Sequence, residues 1–364
     1  MKLLYITNGI TGVGGLERVL SLKSSYLADF YNYEVTILSL NEGGVKPYYD
    51  YSQKVKFKSI EVKGGVCSYF KSYFQGIKMT IKQENPDKII VCDDGLKAFF
   101  LPILFRKKKF IYERHVSKKI IFQNEMSIRR RALAHIQIFF MNILSRYFEF
   151  FIVLNEGNKK EWKYKRNLKV IGNPLSFYPE QSARLNNFRA IAVGKQSFQK
   201  NYERMINLWA NVTSKHPRWE LHIYGKSEPN LNLNGLIKKL YLDKNIFLHN
   251  PIKNIQSKYL ESSIFLMSSR FEGMPMVMLE AMSCGLPIVS FDSPHGPREL
   301  IDDGINGFLI EYKDDEKYIE KIFTLIENKN KRIELGQNSR QKSLDFSIPR
   351  TMKKWDKLFN NKDV

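Results

Sequence analysis

Two glutamates eight positions apart, Glu272 and Glu280, lie in the segment of the sequence whose residue types are best suited to binding a ligand. This segment follows an apolar run, turns at Gly273, and places Pro275 near the first position of a predicted helix that ends at Gly285. The first amides of a helix have no partner within it, and the helix dipole adds positive potential there, so the turn suits a diphosphate. Carboxylates accept hydrogen bonds from sugar hydroxyls. The pattern predicts a site for a phosphorylated, sugar-like ligand.

A second segment supplies cations. Lys195 and Lys200 lie in a loop that follows the apolar run Ala190–Val193 and begins at Gly194. Two ammonium groups at the end of a strand can neutralise phosphate, and stabilisation of charge on a leaving group is often the largest contribution to catalysis. The alternative is a pair of solvated surface lysines.

The first half of the chain carries weaker signals. Gly12, Gly14 and Gly15 form a glycine-rich turn between a predicted strand and a predicted helix, where backbone can approach a ligand closely. A purely structural turn fits equally well, and the Gly-x-Gly-x-x-Gly spacing of nicotinamide-cofactor sites is absent. His115 ends a predicted strand, and Asn173 precedes a proline in an irregular stretch.

Metal-binding patterns are absent from the sequence. Cys67, Cys92 and Cys284 are far apart and lack the spacing of a zinc site, and their small, odd number indicates free thiols in a reducing compartment. The aspartate pairs at 93–94 and 302–303 are adjacent residues, as is usual in turns. We therefore expect no metal requirement.

Strands and helices must position these candidate residues. Short apolar runs alternate with amphipathic helical patterns in two series, which predicts an α/β protein with two doubly wound, Rossmann-like domains and ligands at the strand carboxyl ends. We place the domains at residues 1–175 and 176–345, joined within Gly172–Asn187, with a C-terminal helix in 346–364 that packs back toward the first domain. The predicted strands are Leu3–Thr7, Glu34–Leu40, Lys88–Cys92, Phe110–Glu113, Phe150–Leu154, Lys169–Ile171, Ala190–Val193, Glu220–Tyr224, Ile246–Leu248, Ile264–Met267, Pro287–Phe291 and Phe308–Ile310, and the predicted helices include Glu17–Phe30, Tyr69–Gln83 and Ile348–Phe359.

The segment Ser268–Pro287 closely resembles the Glu-x7-Glu signature of the family 4, or group 1, retaining glycosyltransferases, and the similarity is strongest from Arg189 to Phe308. The resemblance implies the GT-B fold, in which two Rossmann-like domains face across a cleft that holds a nucleotide-sugar donor. It implies that Glu272 contacts the donor sugar and Glu280 the ribose. The backbone positions that would hold sugar and phosphate oxygens are Gly273, Met274, Pro275 and Met276.

Residues 192–201 resemble the family's Val-Gly-Arg…Lys-Gly element, with Lys195 in place of arginine and Asn201 in place of glycine. The resemblance implies that Lys195 and Lys200 neutralise the pyrophosphate beside Gly194. Lysine keeps the charge of arginine but loses its bidentate fork, which alters the geometry of phosphate binding.

Elements of the first half also resemble the family. The turn that holds Gly14 and Gly15 resembles the Gly-Gly-x-Glu turn, whose glycines face the donor phosphate and the acceptor. His115 matches a histidine that points into the cleft and is a catalytic candidate. Asn173 stands where the family often has Asn-Gly-Val-Asp and is a donor-binding candidate.

Residues 291–300 resemble a Gly-Pro-Arg-Glu variant found in bacterial enzymes that build surface polysaccharides, many of which use UDP-linked hexoses or N-acetylhexosamines. The resemblance therefore implies retaining transfer of such a sugar to a glycan acceptor, without a metal cofactor. Departure of the nucleotide and attack by the acceptor would occur on one face through an oxocarbenium-like transition state. A non-catalytic relative that only binds a nucleotide sugar is one alternative.

The charge of the chain indicates an anionic partner. The sequence holds 58 basic and 37 acidic residues, a formal net charge of +21, and residues 1–175 hold 30 basic and 15 acidic residues. Nucleic acid, anionic lipid and phosphorylated substrate all fit such a field. A basic nucleic-acid-binding protein is the alternative from another class, but no RNP, zinc-finger or helix-turn-helix pattern supports it, and we expect no nucleic-acid partner.

The basic segment 104–147 interleaves arginines and lysines with aliphatic and aromatic residues. This composition favours docking on an anionic membrane face, which would suit an acceptor carried on a lipid diphosphate. The alternative is a helix whose apolar face packs into the first domain. Because no apolar run approaches the roughly 20 residues of a membrane span, we expect a cytoplasmic protein, peripheral on the inner face of the membrane.

Overall fold

The computed structural model describes residues 1–93, 95–121, 127–228 and 230–362. The chain forms two compact units, Met1–Pro174 with Ile348–Val364, and Leu175–Ser347. The first boundary lies within the irregular stretch predicted to join the domains, one residue from the expected position. The C-terminal helix belongs to the first unit.

The first unit is built on a parallel sheet whose strands are β1 (Lys2–Thr7), β2 (Glu34–Leu40), β3 (Lys56–Ile60), β4 (Lys88–Cys92), β5 (Phe110–Arg114), β6 (Phe150–Val153) and β7 (Leu168–Val170). The order across the sheet is β3-β2-β1-β4-β5-β6-β7, and neighbouring strands run parallel. The helices of this unit are α1 (Gly15–Phe30), α2 (Val66–Glu84), α3 (Leu101–Leu104), α4 (Ile128–Leu144), α5 (Glu156–Lys160) and, from the end of the chain, α12 (Ile348–Phe359), with 3-10 turns at Leu96–Phe100, Lys118–Ile121 and Ser145–Tyr147.

Each face of this sheet has its own apolar core. On one face, Leu4 and Tyr112 pack with Ile77 of α2. On the other, Ile37 and Ile111 pack with Leu20 of α1 and with α12, whose buried side chains include Trp355. Helices on both faces bury the sheet, as the near-continuous apolar runs of its central strands predict.

The second unit repeats the architecture with strands β8 (Arg189–Val193), β9 (Glu220–Tyr224), β10 (Ile246–His249), β11 (Ile264–Met267), β12 (Ile288–Phe291) and β13 (Gly307–Ile310). These strands are parallel and lie in the order β10-β9-β8-β11-β12-β13. The helices are α6 (Tyr202–Lys215), α7 (Leu233–Lys239), α8 (Ile255–Leu260), α9 (Met276–Ser283), α10 (Asp315–Glu327) and α11 (Lys329–Ser343), with 3-10 turns at Pro297–Glu299 and Leu344–Phe346.

The predicted strands are all present, and one further strand, β3, was not predicted. This edge strand alternates Lys56 and Lys58 with apolar residues and is only half-buried, so its apolar signal is weak. None of the helices in the described ranges is long and apolar enough to cross a membrane.

Helix α6 begins after Asn201, whose φ of 55° lies in the left-handed region. Asparagine tolerates this region better than other residues that carry a Cβ, which explains how Asn201 can replace the glycine of the related motif. The Asn201 side chain makes no capping hydrogen bond to the helix. The buried amide instead donates a long hydrogen bond, 3.5 Å, to the Tyr312 hydroxyl, so its main contribution at this position is conformational.

We predict that Asn201→Gly leaves stability nearly unchanged, whereas Asn201→Ala destabilises the protein by about 1 kcal/mol, because alanine lacks the short polar side chain that lets asparagine adopt the left-handed region. Urea unfolding compared at equal m-values measures both effects. Equal tolerance of alanine and glycine would contradict this account of the turn.

Candidate active site

The strand order of the second unit reverses between β8 and β11, because the chain adds β9 and β10 on one side of β8 and β12 and β13 beyond β11. In open α/β sheets such a reversal leaves a crevice at the strand carboxyl ends, where ligands bind. The loop after β8 carries Lys200, and the loop after β11 carries Glu272. The two strongest sequence candidates thus meet at the switch point.

Lys200 and Glu272 form an ion pair, with Lys200 Nζ 2.7 Å from Glu272 Oε1. Their side chains are only 15% and 7% exposed. The backbone joins their loops, since the Arg270 amide donates to the Gln199 carbonyl at 2.8 Å. The Ser268 hydroxyl adds a hydrogen bond to the Lys200 carbonyl at 2.9 Å. The arrangement fixes a cation suited to phosphate beside a carboxylate suited to hydroxyl groups.

Two glycines allow this close approach. A methyl group at Gly194 would lie 2.7 Å from Lys200 Cε, and one at Gly296 would lie 2.6 Å from Glu272 Cβ and 2.9 Å from Pro275 Cδ. Real Cβ contacts are not this short, so a side chain at either position would displace the ion pair or its loop. Gly296 was not among the sequence candidates, although it lies in the Gly-Pro-Arg-Glu segment. It presses that segment against the Glu272 turn.

Tyr202, the first residue of α6, borders the same cluster. Its hydroxyl donates to the Gly194 carbonyl at 3.4 Å. Burial and, to a lesser extent, the charge of Glu272 raise the pKa of Tyr202 far above its ordinary value. The phenol therefore stays neutral and acts as a hydrogen-bond donor within the loop.

Helix α9 begins where the sequence predicts, with Pro275 as its N-cap, and Gly285 follows it with a φ of 78°. The turn Gly273–Met276 is buried. Glu280, 1% exposed, accepts hydrogen bonds from the Ser176 hydroxyl at 2.9 Å and the Tyr259 hydroxyl at 3.2 Å. These partners hold the carboxylate one turn inside the helix.

The structure does not bring Lys195 into this cluster. Its Nζ lies 2.6 Å from Glu228 Oε1, and its side chain is 59% exposed. The two lysines treated as a pair in the sequence therefore occupy different environments. Lys200 is held by a buried carboxylate, whereas Lys195 forms a surface ion pair that solvent screens.

The first unit also has a switch point, between β1 and β4. Gly14 is the N-cap of α1 and Gly15 is its first residue, and both are exposed after β1. The carboxylate of Glu17 lies over Gly12 and Gly14, so neither glycine could carry a side chain without displacing it. Burial raises the pKa of Glu17, and the charge of Glu42 adds to the effect.

His115 follows β5 and lies beside a buried charge network. Its Nε2 is 3.3 Å from Glu113 Oε1, and Glu113 Oε2 is 2.5 Å from Lys23 Nζ. Burial alone would raise the pKa of Glu113, but the charges of Lys23 and His115 overcome it and hold the pKa at about 2. The ligand atoms of Cys92, Glu113 and His115 lie within 4.8 Å of one another, yet Lys23 already supplies a cation to this carboxylate.

The remaining residues singled out in the sequence lie at separate places in the fold. Asn173 is buried near the end of the first unit's main segment. Asp93 accepts a hydrogen bond from the Gly95 amide at 2.7 Å, as expected for a turn residue, and Asp94 lies outside the described residues. Arg298 pairs with Asp292 through two nitrogens.

Comparison with known proteins identifies the family. The model described as glycosyl transferases group 1 matches residues 177–342. The chain is 32% identical over 376 residues to the amylovoran biosynthesis glycosyltransferase AmsD of Erwinia amylovora, covering 99% of both chains. It is 23% identical over 370 residues to the GalNAc-α-(1→4)-GalNAc-α-(1→3)-diNAcBac-PP-undecaprenol α-1,4-N-acetyl-D-galactosaminyltransferase of Campylobacter jejuni, covering 98% of both.

Among solved structures, S. aureus TarM in complex with fondaparinux, α-GlcNAc-glycerol and UDP superposes with a TM-score of 0.76 at 16% identity over 99% of both chains. This similarity confirms the expected GT-B fold. The identity to AmsD extends over nearly the whole of both proteins, so the chain belongs to the group 1 glycosyltransferases and is a glycosyltransferase.

Proposed function

We propose that the protein transfers a hexose or N-acetylhexosamine from a UDP-sugar to a glycan acceptor in the synthesis of a cell-surface polysaccharide, with retention of anomeric configuration. The observation that carries the proposal is the Lys200–Glu272 ion pair at the switch point of the second unit, beside the first turn of α9. It joins one group suited to a departing diphosphate and one suited to sugar hydroxyls.

In this mechanism Lys200 neutralises the leaving diphosphate while Glu272 accepts hydrogen bonds from the donor sugar. The bond from the anomeric carbon to the phosphate oxygen breaks, and the acceptor oxygen bonds to the same face of that carbon. The acceptor proton passes to the departing phosphate oxygen. Lysine and the positive end of α9 take the place of a metal ion. Glu280 binds the ribose, and we retain His115, Gly14, Gly15 and Asn173 as functional residues of the first unit.

The relatives support the donor and acceptor classes. The TarM complex contains UDP, and the Campylobacter enzyme is named for an acceptor joined to PP-undecaprenol. AmsD is named for amylovoran biosynthesis. We therefore assign this chain a UDP-linked donor and a glycan acceptor carried on a lipid diphosphate.

We predict that one UDP-sugar, among UDP-, GDP- and ADP-sugars tested, raises the melting temperature, since a ligand of the native state stabilises it by RT ln(1 + [L]/Kd).

Lys200→Ala should then lower kcat for sugar transfer by about 100- to 1,000-fold, the scale of losing one group that stabilises transition-state charge. Glu272→Ala should abolish transfer. Release of UDP and NMR of the product anomeric proton measure rate and stereochemistry.

Lys195→Ala is the matched control, because it removes the same charge from a surface pair with Glu228. It should reduce kcat far less than Lys200→Ala does. Equal effects of the two lysine variants, or full activity of Glu272→Ala, would contradict the assigned site. Donor binding without transfer to any acceptor would favour a non-catalytic relative.

The same proposal includes peripheral binding to an anionic membrane through helix α4. Its exposed large apolar side chains include Ile128 (89% exposed), Leu133 (64%) and Phe139 (58%), and Arg129–Arg131 are exposed beside them. Residues 122–126 of the predicted basic segment lie outside the described residues.

In the alternative, the apolar face of this helix packs into the domain. Few of its side chains do so. Among its described side chains only Ala134, Met141 and Leu144 are buried. An exposed helix face that combines large apolar residues with arginines is typical of helices that lie in a membrane interface. We place this surface on the inner face of the membrane, where anionic headgroups attract basic segments.

We predict that the protein floats with vesicles containing anionic phosphatidylglycerol and not with neutral phosphatidylcholine vesicles. Reversing Arg129, Arg130 and Arg131 to glutamate should weaken binding by at least roughly 100-fold, because each basic residue near such a surface contributes about 1 kcal/mol. Phe139→Ser with Phe140→Ser should also weaken it.

The control reverses three exposed lysines of the second unit, Lys238, Lys239 and Lys244, which changes the net charge equally. This variant should keep most of its vesicle binding. Equal loss in both charge-reversal variants would show that net charge, rather than α4, attracts the membrane. Vesicle binding that does not depend on anionic lipid would contradict the proposed docking of α4 on an anionic membrane.

A further inference from the structure

A complete ion pair lies inside the apolar core between the first unit's sheet, α1 and α12. Lys23 of α1 and Glu113 of β5 have side chains that are 1% and 3% exposed, with Nζ 2.5 Å from Oε2. The neighbouring residues of this core include Leu20, Ile111 and Trp355. Lys23 Nζ also lies 3.5 Å from the centre of the Trp355 ring, a cation–π contact that fixes its position.

Stability does not explain this pair. Removing two charges from water carries a large desolvation penalty, and well-packed apolar residues of similar volume often stabilise a core equally or better. The sequence places the two partners 90 positions apart, on a helix and a strand that apolar residues otherwise hold together. A role for the charge itself is the simpler explanation.

The two oxygens of the Glu113 carboxylate have different neighbours. Oε2 contacts Lys23 and lies 3.4 Å from the Cys92 thiol, whereas Oε1 lies 3.3 Å from His115 Nε2. Lys23 thus fixes one end of the carboxylate and leaves the other directed at the imidazole. Glu17, in the first turn of α1, also interacts electrostatically with His115.

We propose that Glu113 and Lys23 are positioning residues for His115: the buried ion pair orients the carboxylate, and its second oxygen, Oε1, sets the orientation and tautomer of the imidazole at the end of β5. This inference rests on the proposed function insofar as His115 takes part in sugar transfer. Glu113 itself is sealed in the core and acts on the substrate only through His115.

Single substitutions would leave one buried charge unpaired and are expected to unfold the first unit. The test therefore uses two double variants. Lys23→Met with Glu113→Gln keeps an oxygen beside His115 but removes both charges. Lys23→Met with Glu113→Leu removes the oxygen as well and leaves an apolar core.

The matched control removes another largely buried ion pair of the same unit, Lys88–Glu149, whose side chains are 10% and 13% exposed. Lys88→Met with Glu149→Leu deletes the same kinds of groups away from His115. Circular dichroism verifies that each variant is folded.

The first readout does not require activity. In protein labelled with ¹⁵N-histidine, the His115 ring shifts, assigned among the six histidines with His115→Ala, report the tautomer of the imidazole. We expect them to change in the leucine double variant, to change less in the glutamine variant and to stay constant in the Lys88–Glu149 control. Unchanged shifts in a folded leucine variant would overturn the proposal.

The second readout is sugar transfer from the UDP-sugar identified by thermal stabilisation. The leucine variant should lose kcat by about 10- to 100-fold with little change in KM, the scale of misplacing a catalytic group by about 1 Å. In a His115→Ala background it should cause no further loss. An undiminished loss in that background would overturn the proposal, because Glu113 would then act independently of His115.

Failure of the proposed function is distinguishable from failure of this inference. If no nucleotide sugar is turned over but the His115 shifts respond as expected, the positioning network stands and the proposed reaction falls. If a nucleotide sugar is turned over but the His115 shifts do not respond, the proposed reaction stands and the positioning network falls.

Discussion

The reversal of strand order in each parallel sheet is the constraint on which the candidate site depends. At a reversal the flanking strands connect to helices on opposite faces, so their carboxyl-end loops diverge and leave a crevice. In the second unit β8 and β11 are neighbouring strands, and the Arg270 amide, bonded to the Gln199 carbonyl, holds their loops together beside this crevice, where Lys200 and Glu272 pair. Close backbone packing at Gly194 and Gly296 then fixes both side chains, so the site is formed by topology first and by side-chain chemistry second.

Two ion pairs in this protein show how burial decides what a charge can do. Lys200 and Glu272 lie at the strand ends and keep part of their surface exposed, so a ligand could replace each partner with its own phosphate or hydroxyl. Lys23 and Glu113 lie within an apolar core, where their mutual attraction is strong but no ligand can enter. The first pair is suited to exchange partners with a substrate, and the second is suited only to hold a neighbour in place.

The sequence predicted the parts of the fold that depend on local pattern. The central strands are continuous apolar runs, and α9 is bounded by Pro275 and Gly285, whose backbone preferences mark helix ends. Local sequence patterns could not predict contacts between distant segments. The residues around Lys195 do not indicate that it pairs with Glu228, and those around Glu113 do not indicate that it pairs with Lys23. Gly296 lay within a segment noted for its resemblance, but its role becomes visible only beside Glu272.

The excess of positive charge illustrates the same limit in another way. A net charge of +21 attracts nucleic acid, anionic lipid and nucleotide sugar alike, because long-range fields do not distinguish among phosphates. Membership of the group 1 glycosyltransferases now favours an enzyme that acts on glycans over a nucleic-acid-binding protein. What separates one basic residue from another is its local environment. Lys195 pairs with a carboxylate in solvent, and the α4 arginines lie among exposed apolar side chains. Lys200 is held by Glu272 at the strand ends, with its side chain only 15% exposed. Charge brings an anion to the protein, and burial beside the right partner decides where it stays.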